Sequence, residues 1–477
     1  MNPDTPHKLT DTVIKHDFCI GCGACTYVQP EAFKLTKDSF GMFKALPLED
    51  HPEDGKPEQV CPFSETSINE QTLAEDLFPE AHIQFNGLGR YIRACAGYVA
   101  EGSYRSKGSS GGMGKWLLNR LLEEGHADTA IQVRSHPKDH RLFYYDCFKK
   151  GDSVLDGSTS AYYPVTLADI LTHVRDTPGR YVITALPCFS KALRLLCRQD
   201  PILNERIRYV IGMVCGHLKS EAFAECLAWQ RDVPPSELAG IEFREHIPGA
   251  KANDKGVIAY KKDGTCTDVI SSRQLIGGNW GHGMFKYPAC DACDDTVAET
   301  ADITIGDAWL PRFMNQPEGT SLVIVRSVFF DNLISEGIKN QQLTLEPLKQ
   351  AEVAASQDAG IRHKNEGLAY RMHLWQEKGM WHPPKRVHPH VPSSRRKRHL
   401  FKLRQEITEA SHRLFSEAKA KGDFNYFRKE MSDRLEAYQN LYLPLWMRIA
   451  KRILMQLGLF NLAVRIKDAI AKKKSRR

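Results

Sequence analysis

No run of 18 or more apolar residues occurs in the 477-residue chain, so no bilayer-spanning helix is expected. Residues 1–17 carry neither an apolar core nor a twin-arginine pair, so no export signal is expected and the chain is assigned to the cytoplasm. The 13 cysteines are an odd number, many beside Gly or Pro, which suits metal ligation in a reducing compartment better than a disulfide framework. Toward the C-terminal end, negative charge is scarce. From Lys385 onward 24 Lys+Arg face 8 Asp+Glu, a surplus of +16, whereas the preceding residues hold 41 against 50, or −9. A mildly acidic body thus carries a basic appendage. Composition is otherwise ordinary, 42% hydrophobic and 26% charged, with length for two or three domains.

What is present is a C-x2-C-x2-C run, CIGCGAC at residues 19–25, followed much later by Cys61-Pro62. Cys19, Cys22, Cys25 and Cys61 form a ferredoxin-type ligand set. The tight spacing lets three thiolates converge on one cubane face, and Gly21, Gly23 and Ala24 let the backbone wrap sulfur closely. A four-cysteine zinc site would ordinarily show two separated C-x2-C knuckles, and a disulfide between such close neighbours would be strained. A [4Fe–4S] cluster is therefore expected.

Residues 91–100 read as a strand, and KGSSGG at 107–112 then runs into a helical pattern with Met113, Trp116, Leu117 and Leu121 on one face. A Gly/Ser loop feeding a helix N-terminus offers free N–H groups, hence an anion site, although the same residues also make a plain turn. Two strand–cysteine–helix units follow. Residues 181–185 exit at Pro187-Cys188, and residues 208–214 exit at Cys215-Gly216. In a parallel sheet both cysteines lie at carboxyl ends of strands, the edge where open α/β sheets bind ligands. Residues 257–270 read as a hairpin. Cys290 and Cys293 precede a strand at 301–305 that ends in Gly306 and Asp307. Cys188, Cys215, Cys290 and Cys293 read as a second cluster set, with a zinc knuckle or simple packing of thiols as alternatives. Residues 382–392 are Pro-rich and read as linker. Beyond residue 395 a helical tail is expected, in which Trp446, Ile449, Ile453, Leu457 and Phe460 mark an amphipathic helix suited to an anionic membrane surface.

The body resembles the family of beta subunits of coenzyme F420 hydrogenases and dehydrogenases, whose relatives include 7-hydroxymethyl chlorophyll a reductase and bacterial homologues from polysaccharide gene clusters. The resemblance rests on the cysteines at 19–25 with Cys61-Pro62, SSGG at 109–112, Gly157-Ser158 through Tyr162, Pro187-Cys188, Cys215-Gly216, Phe243-Arg244, Cys290 with Cys293, ADITIGD at 301–307 and GTS at 319–321, in family order. It departs from the family at Phe189, at Gly216-His217, at Thr159 and at Glu245-His246, which puts use of F420 itself in doubt. The resemblance implies flavin, FAD or FMN, alongside the clusters. It seats the flavin near Lys107, Ser109, Ser110, Gly111, Gly112, Ser158, Tyr162 and Gly306. Asp307 is the candidate catalytic residue, contacting flavin or substrate; a turn-forming role is its alternative.

The expected fold is α/β. It comprises a ferredoxin-like iron–sulfur segment (1–80), an N-terminal α/β flavin-binding part (81–175), a C-terminal α/β part with the second cluster (176–350), a linker (351–394) and a basic helical tail (395–477). The expected function is an iron–sulfur flavoprotein oxidoreductase. It would take electrons from ferredoxin, another one-electron donor or reduced deazaflavin, and pass them to a small-molecule or lipid-linked glycan acceptor. The tail would hold it peripherally on the inner face of the membrane, with no nucleic-acid partner. A non-catalytic electron-transfer subunit and a zinc- and nucleic-acid-binding protein are the rivals.

Overall fold

The computed structural model describes residues 7–49, 54–85, 87–135, 141–443 and 447. At its centre an eight-stranded sheet runs in the spatial order Leu343–Pro347, Arg93–Val99, Ser321–Val325, Ile303–Asp307, Ile207–Met213, Tyr181–Ala185, Thr129–Arg134 and Tyr144–Lys149. The four strands from Ile303–Asp307 to Thr129–Arg134 are parallel, and antiparallel pairings flank them on both sides. The parallel strands are apolar on both faces because helices cover both. Tyr181 and Ile183 enter the core shared with the helix Pro187–Gln199, while Val182 enters the one shared with Met113–Glu123.

Register places the chemistry. Ala185 aligns with Gly212, and Gly212 with Thr304, so these strands end together. Cys188 and Cys215 then leave the sheet at one edge, the carboxyl ends of their strands. Gly212 is required there: a Cβ would sit 2.6 Å from that of Ala298.

The N-terminal segment is built from the helix Ala24–Val28, the hairpin Phe33–Lys37 and Phe43–Pro47, and the helix Lys56–Val60. It does not stand apart from the body. Its Val13, Phe18, Ile20 and Phe33 belong to the same buried core as Ile183, Leu193 and Phe285. Leu167 N–H donates to the Cys22 carbonyl at 3.0 Å, and Phe43 N–H donates to Tyr287 Oη at 2.9 Å.

Where a linker over 351–394 is expected, helices occupy Gln350–Ser356, Asp358–Arg362 and Leu368–Glu377, joined by a wide turn at His363–Gly367. Lys364 and Arg371 read as surface residues but are buried, because each finds partners inside. The first part of the tail is a helical hairpin, Arg395–Lys421 and Phe424–Tyr442. Gly422 ends the first helix at φ 64°, and Asp423 caps the second through Asn425 N–H.

This hairpin docks on the body through Phe285, fully buried at φ +58°. That backbone conformation costs about 1–3 kcal/mol in a non-glycine residue and persists only where its surroundings enforce it. Here Phe415 and Phe427 meet the Phe285 ring at 5.4 and 5.9 Å, and Ser411 Oγ accepts from Phe285 N–H at 2.8 Å. Thr408 Oγ donates to the Gly283 carbonyl at 2.8 Å. The amphipathic helix expected at 446–470 lies, Met447 apart, outside the described residues. Among the described residues no helix is long and apolar enough to cross a membrane. Phe415→Ala is expected to cost about 3–5 kcal/mol, read as a lower denaturant midpoint; a midpoint equal to the parent's would mean that the hairpin is not integral to the core.

Candidate functional site

Cys19, Cys22, Cys25 and Cys61 line one cavity, together with Leu9, Val13, Phe18, Ile20, Leu35, Ala45 and Phe63. The local sequence permits this. Gly21 has φ +66°, and a Cβ on it would lie 2.4 Å from the Phe43 carbonyl oxygen, so only glycine passes between the first two cysteines. Gly21 N–H and Ala45 N–H both point at Cys19 Sγ, at 3.4 Å. Burial pushes the Cys22 thiol up to about 12 and raises Cys25 and Cys61 as well, with the neighbouring thiols adding to the effect.

The second expected set also converges. Cys188 sits in the first turn of Pro187–Gln199, Cys215 just past Ile207–Met213, Cys290 within the short helix Pro288–Ala292 and Cys293 at its end. All four line a second cavity with Pro187, His217, Leu218 and Lys364, and with Ile20 and Phe63. Ile20 and Phe63 line both cavities, so the two cysteine sets lie back to back across one apolar wall. Leu218 N–H donates to Cys290 Sγ at 3.2 Å, and Lys364 Nζ donates to Cys293 Sγ at 3.3 Å. Burial raises Cys215 to about 11 and Cys290 to about 12.

Thiols raised this far are neutral near pH 7, and metal ligation is the chemistry that stabilises buried thiolates. Among the described residues no three His, Cys, Asp or Glu side chains are set to chelate a single ion. Tetrahedral zinc, with Zn–S of about 2.3 Å, needs sulfurs about 3.8 Å apart. Four soft thiols in a buried, mainly apolar cavity are the donor set a four-thiolate cubane takes, and both sets fit that group in ligand number and type.

The expected flavin residues separate into two classes. Ser109 Oγ donates to the Thr159 carbonyl at 3.2 Å, tying the Gly/Ser loop to the Ser158 segment. Arg244 donates to the Ser109 carbonyl at 3.3 Å and lies beside Tyr162. The hydroxyls of Ser110 and Ser158 and the Nε of Arg244 are buried without a hydrogen-bond partner. Gly112, at φ +83°, starts the helix Met113–Glu123 with no side-chain cap. Unpartnered donors and an uncapped helix start fit a polar, phosphate-bearing ligand.

The other class packs. A Cβ on Gly111 would meet the Gly97 carbonyl oxygen at 2.4 Å, and one on Gly306 would meet Val214 at 2.4 Å, so both glycines serve close approach of backbone. Lys107 is exposed. Asp307 has both carboxylate oxygens taken by Arg244, at 2.6 and 2.7 Å. Burial alone would pull the Arg244 guanidinium down, but Asp307 holds it above its ordinary value.

Several residues went unassigned in the sequence. His217 stacks on Trp280 at 4.4 Å, and Trp280 meets Tyr162 at 4.6 Å, so rings join the second cavity to Arg244. The Phe243-Arg244 pair was the available signal for Arg244. Lys364 had none, lying 71 residues from Cys293. Lys115, at the start of its helix, is buried with Nζ 2.6 Å from Gln132 Oε1.

Residues 94–172 match the N-terminal model, and residues 179–351 the C-terminal model, of the coenzyme F420 hydrogenase/dehydrogenase beta subunit. The chain belongs to this family. It is 22% identical over 324 residues to a subunit of the F(420)H(2) dehydrogenase of Methanosarcina mazei, a match spanning 68% of this chain and 82% of the relative. A chain of the F420-reducing [NiFe] hydrogenase complex from Methanosarcina barkeri, solved as a xenon derivative, is similar at 15% identity and a TM-score of 0.49. That likeness covers 63% of this chain and 99% of the other. The beta-subunit match thus holds the second cysteine set but neither the cysteines at 19–61 nor Lys364.

Arg244→Ala strands the Asp307 carboxylate in the interior and is expected to cost about 3–5 kcal/mol. Asp307→Asn added to Arg244→Ala should recover part of that loss in chemical denaturation; no recovery would mean that the pair is not coupled. Burial lowers Lys115 to about 7. Between that value and the ordinary lysine value the unfolded chain holds a proton that the folded chain does not, so stability rises with pH across this window. Lys115→Met should flatten the rise, measured as thermal midpoints from pH 7 to 9.

Proposed function

We propose that this member of the family is an iron–sulfur flavoprotein oxidoreductase that moves electrons between a one-electron carrier and a two-electron acceptor. One observation carries the reading: cysteines from five separate stretches gather in two cavities that share Ile20 and Phe63. On this reading Cys19, Cys22, Cys25 and Cys61 hold one [4Fe–4S] cluster, and Cys188, Cys215, Cys290 and Cys293 hold a second. FAD or FMN is held by the loop at 109–112, Ser158, Tyr162 and Arg244. Asp307 acts as the positioning residue that fixes the Arg244 fork. When bound, the clusters supply single-electron carriage and the flavin supplies conversion to a two-electron hydride.

The chain's own part is to bind, orient and exclude water. Ile20 and Phe63 keep the wall between the cavities dry, while N–H groups of Gly21, Ala45 and Leu218 donate to sulfur, which favours the more negative, reduced state. The buried, unpartnered hydroxyls of Ser110 and Ser158 support the flavin assignment.

Ferredoxin or reduced deazaflavin is the proposed donor, and a small molecule or lipid-linked glycan the proposed acceptor, in cell-surface polysaccharide metabolism. The basic tail would attach the protein to the inner face of the membrane. The Methanosarcina mazei relative is named as a subunit, which supports protein partners for this chain too. A second reading, an electron-transfer subunit without a reaction of its own, is favoured by Asp307, whose carboxylate is wholly engaged by Arg244.

Anaerobically purified protein is expected to hold about eight irons per chain and one flavin. Cys22→Ser should remove about half the iron, and Cys290→Ser the other half. For the flavin, Arg244→Gln is the appropriate variant, because a side chain at Gly111 strikes backbone instead; it should purify flavin-poor with its iron retained. Protein that takes up neither FAD nor FMN on reconstitution would favour the electron-transfer subunit.

A further inference from the structure

The two cysteine cavities match in ligand number and differ in electrostatic surroundings. Leu9, Val13, Phe18 and Leu35 enclose the first, with no charged side chain among the described residues of its lining. The buried cation that acts on Cys61, Lys191, is paired with Glu70 at 3.3 Å.

The second cavity has a cation in its wall and no carboxylate among the described residues of its lining. Lys364 is 1% exposed, and its Nζ, 3.3 Å from Cys293 Sγ, also donates to the Asp295 carbonyl at 2.5 Å. Lys219, also 1% exposed, donates to the Met284 carbonyl and faces the rings of Phe223 and Trp280 at 4.5 Å, and burial, with Lys286 adding to it, lowers it well below the ordinary lysine value. Lys286 and Arg371 share a single carboxylate, Asp291, at 2.5 and 3.2 Å. One nearby carboxylate, Asp295, acts on Lys364 and on Cys215. Asp294 pairs with Lys385 and Arg386, and Asp295 accepts from the N–H groups of Val297 and Glu299. A buried charge is poorly screened, so a cation 3.3 Å from a ligand sulfur lowers the free energy of a state that adds negative charge there.

We propose that Lys364 makes the second cluster the easier of the two to reduce, so that an electron arriving at the N-terminal cluster comes to rest on the inner one. The proposal rests on the two-cluster reading above. The step is a one-electron exchange: the N-terminal cluster is oxidised by one electron and the second reduced by one, with no bond made or broken. A low-potential one-electron reductant supplies the electron. Lys364 acts as a positioning charge, and it lies past residue 351, where the family match ends.

The test is an EPR-monitored potentiometric titration of the full-length, anaerobically purified protein. Wild type should give two midpoints, and Cys22→Ser, which removes the N-terminal cluster, should keep the higher one. In that background Lys364→Met should lower the reduced-to-oxidised ratio at fixed potential at least tenfold, a 59 mV shift for one electron. Lys364→Arg, which keeps the charge, should preserve the parent value.

An unchanged midpoint in Lys364→Met, or an equal fall in Lys364→Arg, overturns the proposal. So does a wild type in which Cys22→Ser abolishes the higher midpoint, a comparison that decides alone if Lys364→Met fails to take up iron. Iron at about half the expected content, with Cys188 and Cys215 dispensable, instead ends the two-cluster reading and the proposal with it.

Discussion

Eight thiols must be brought together from five stretches of chain and kept out of water, and the architecture follows from that constraint. The cysteines at 19–25 converge because Gly21 passes where no side chain fits. Cys188 and Cys215 converge because their strands end in register at one sheet edge. Cys290 and Cys293 arrive on a short helix beside that edge, held through Leu218 and Lys364. Ile20 and Phe63 close the gap between the sets. With burial raising Cys22, Cys25, Cys61, Cys188, Cys215 and Cys290, the interior disfavours free thiolates, as a site for a charge-spreading metal group would.

The parts legible in sequence are those whose logic is local. A C-x2-C-x2-C run declares within seven residues which thiols share a cavity, and a cysteine just past an apolar strand declares its sheet edge. The glycines are legible only in part. Gly111 and Gly306 sit in motifs that suggest a cofactor contact, and at each neighbouring protein atoms also come within 2.4 Å of where a Cβ would be. A glycine signals that something approaches, not what.

The rest was illegible because it depends on pairing across long separations. Arg244 and Asp307 are 63 residues apart, and either alone reads as an ordinary polar residue. Lys364 and Arg371 sit in a charged stretch that resembles linker, and only their partners reveal that they are buried. The hairpin at 395–442 reads as a basic appendage because charge dominates its composition. Its apolar stripe, from Leu403 through Ile407 to Phe415, meets the body along one face.

The strand that packs against Gly21 of the first cysteine run is fixed by residues made much later. Phe43 is held by Tyr287, and Tyr287 neighbours Phe285, which the hairpin at 395–442 covers. At a ribosomal rate of about 5–20 residues per second, roughly 11–45 s separate the emergence of Cys61 from that of Tyr287. During that interval Phe43 lacks its Tyr287 partner. On the two-cluster reading, maturation of this protein is therefore a problem of timing: metal delivery to the first site competes with oxidation of thiols whose supporting strand is not yet pinned.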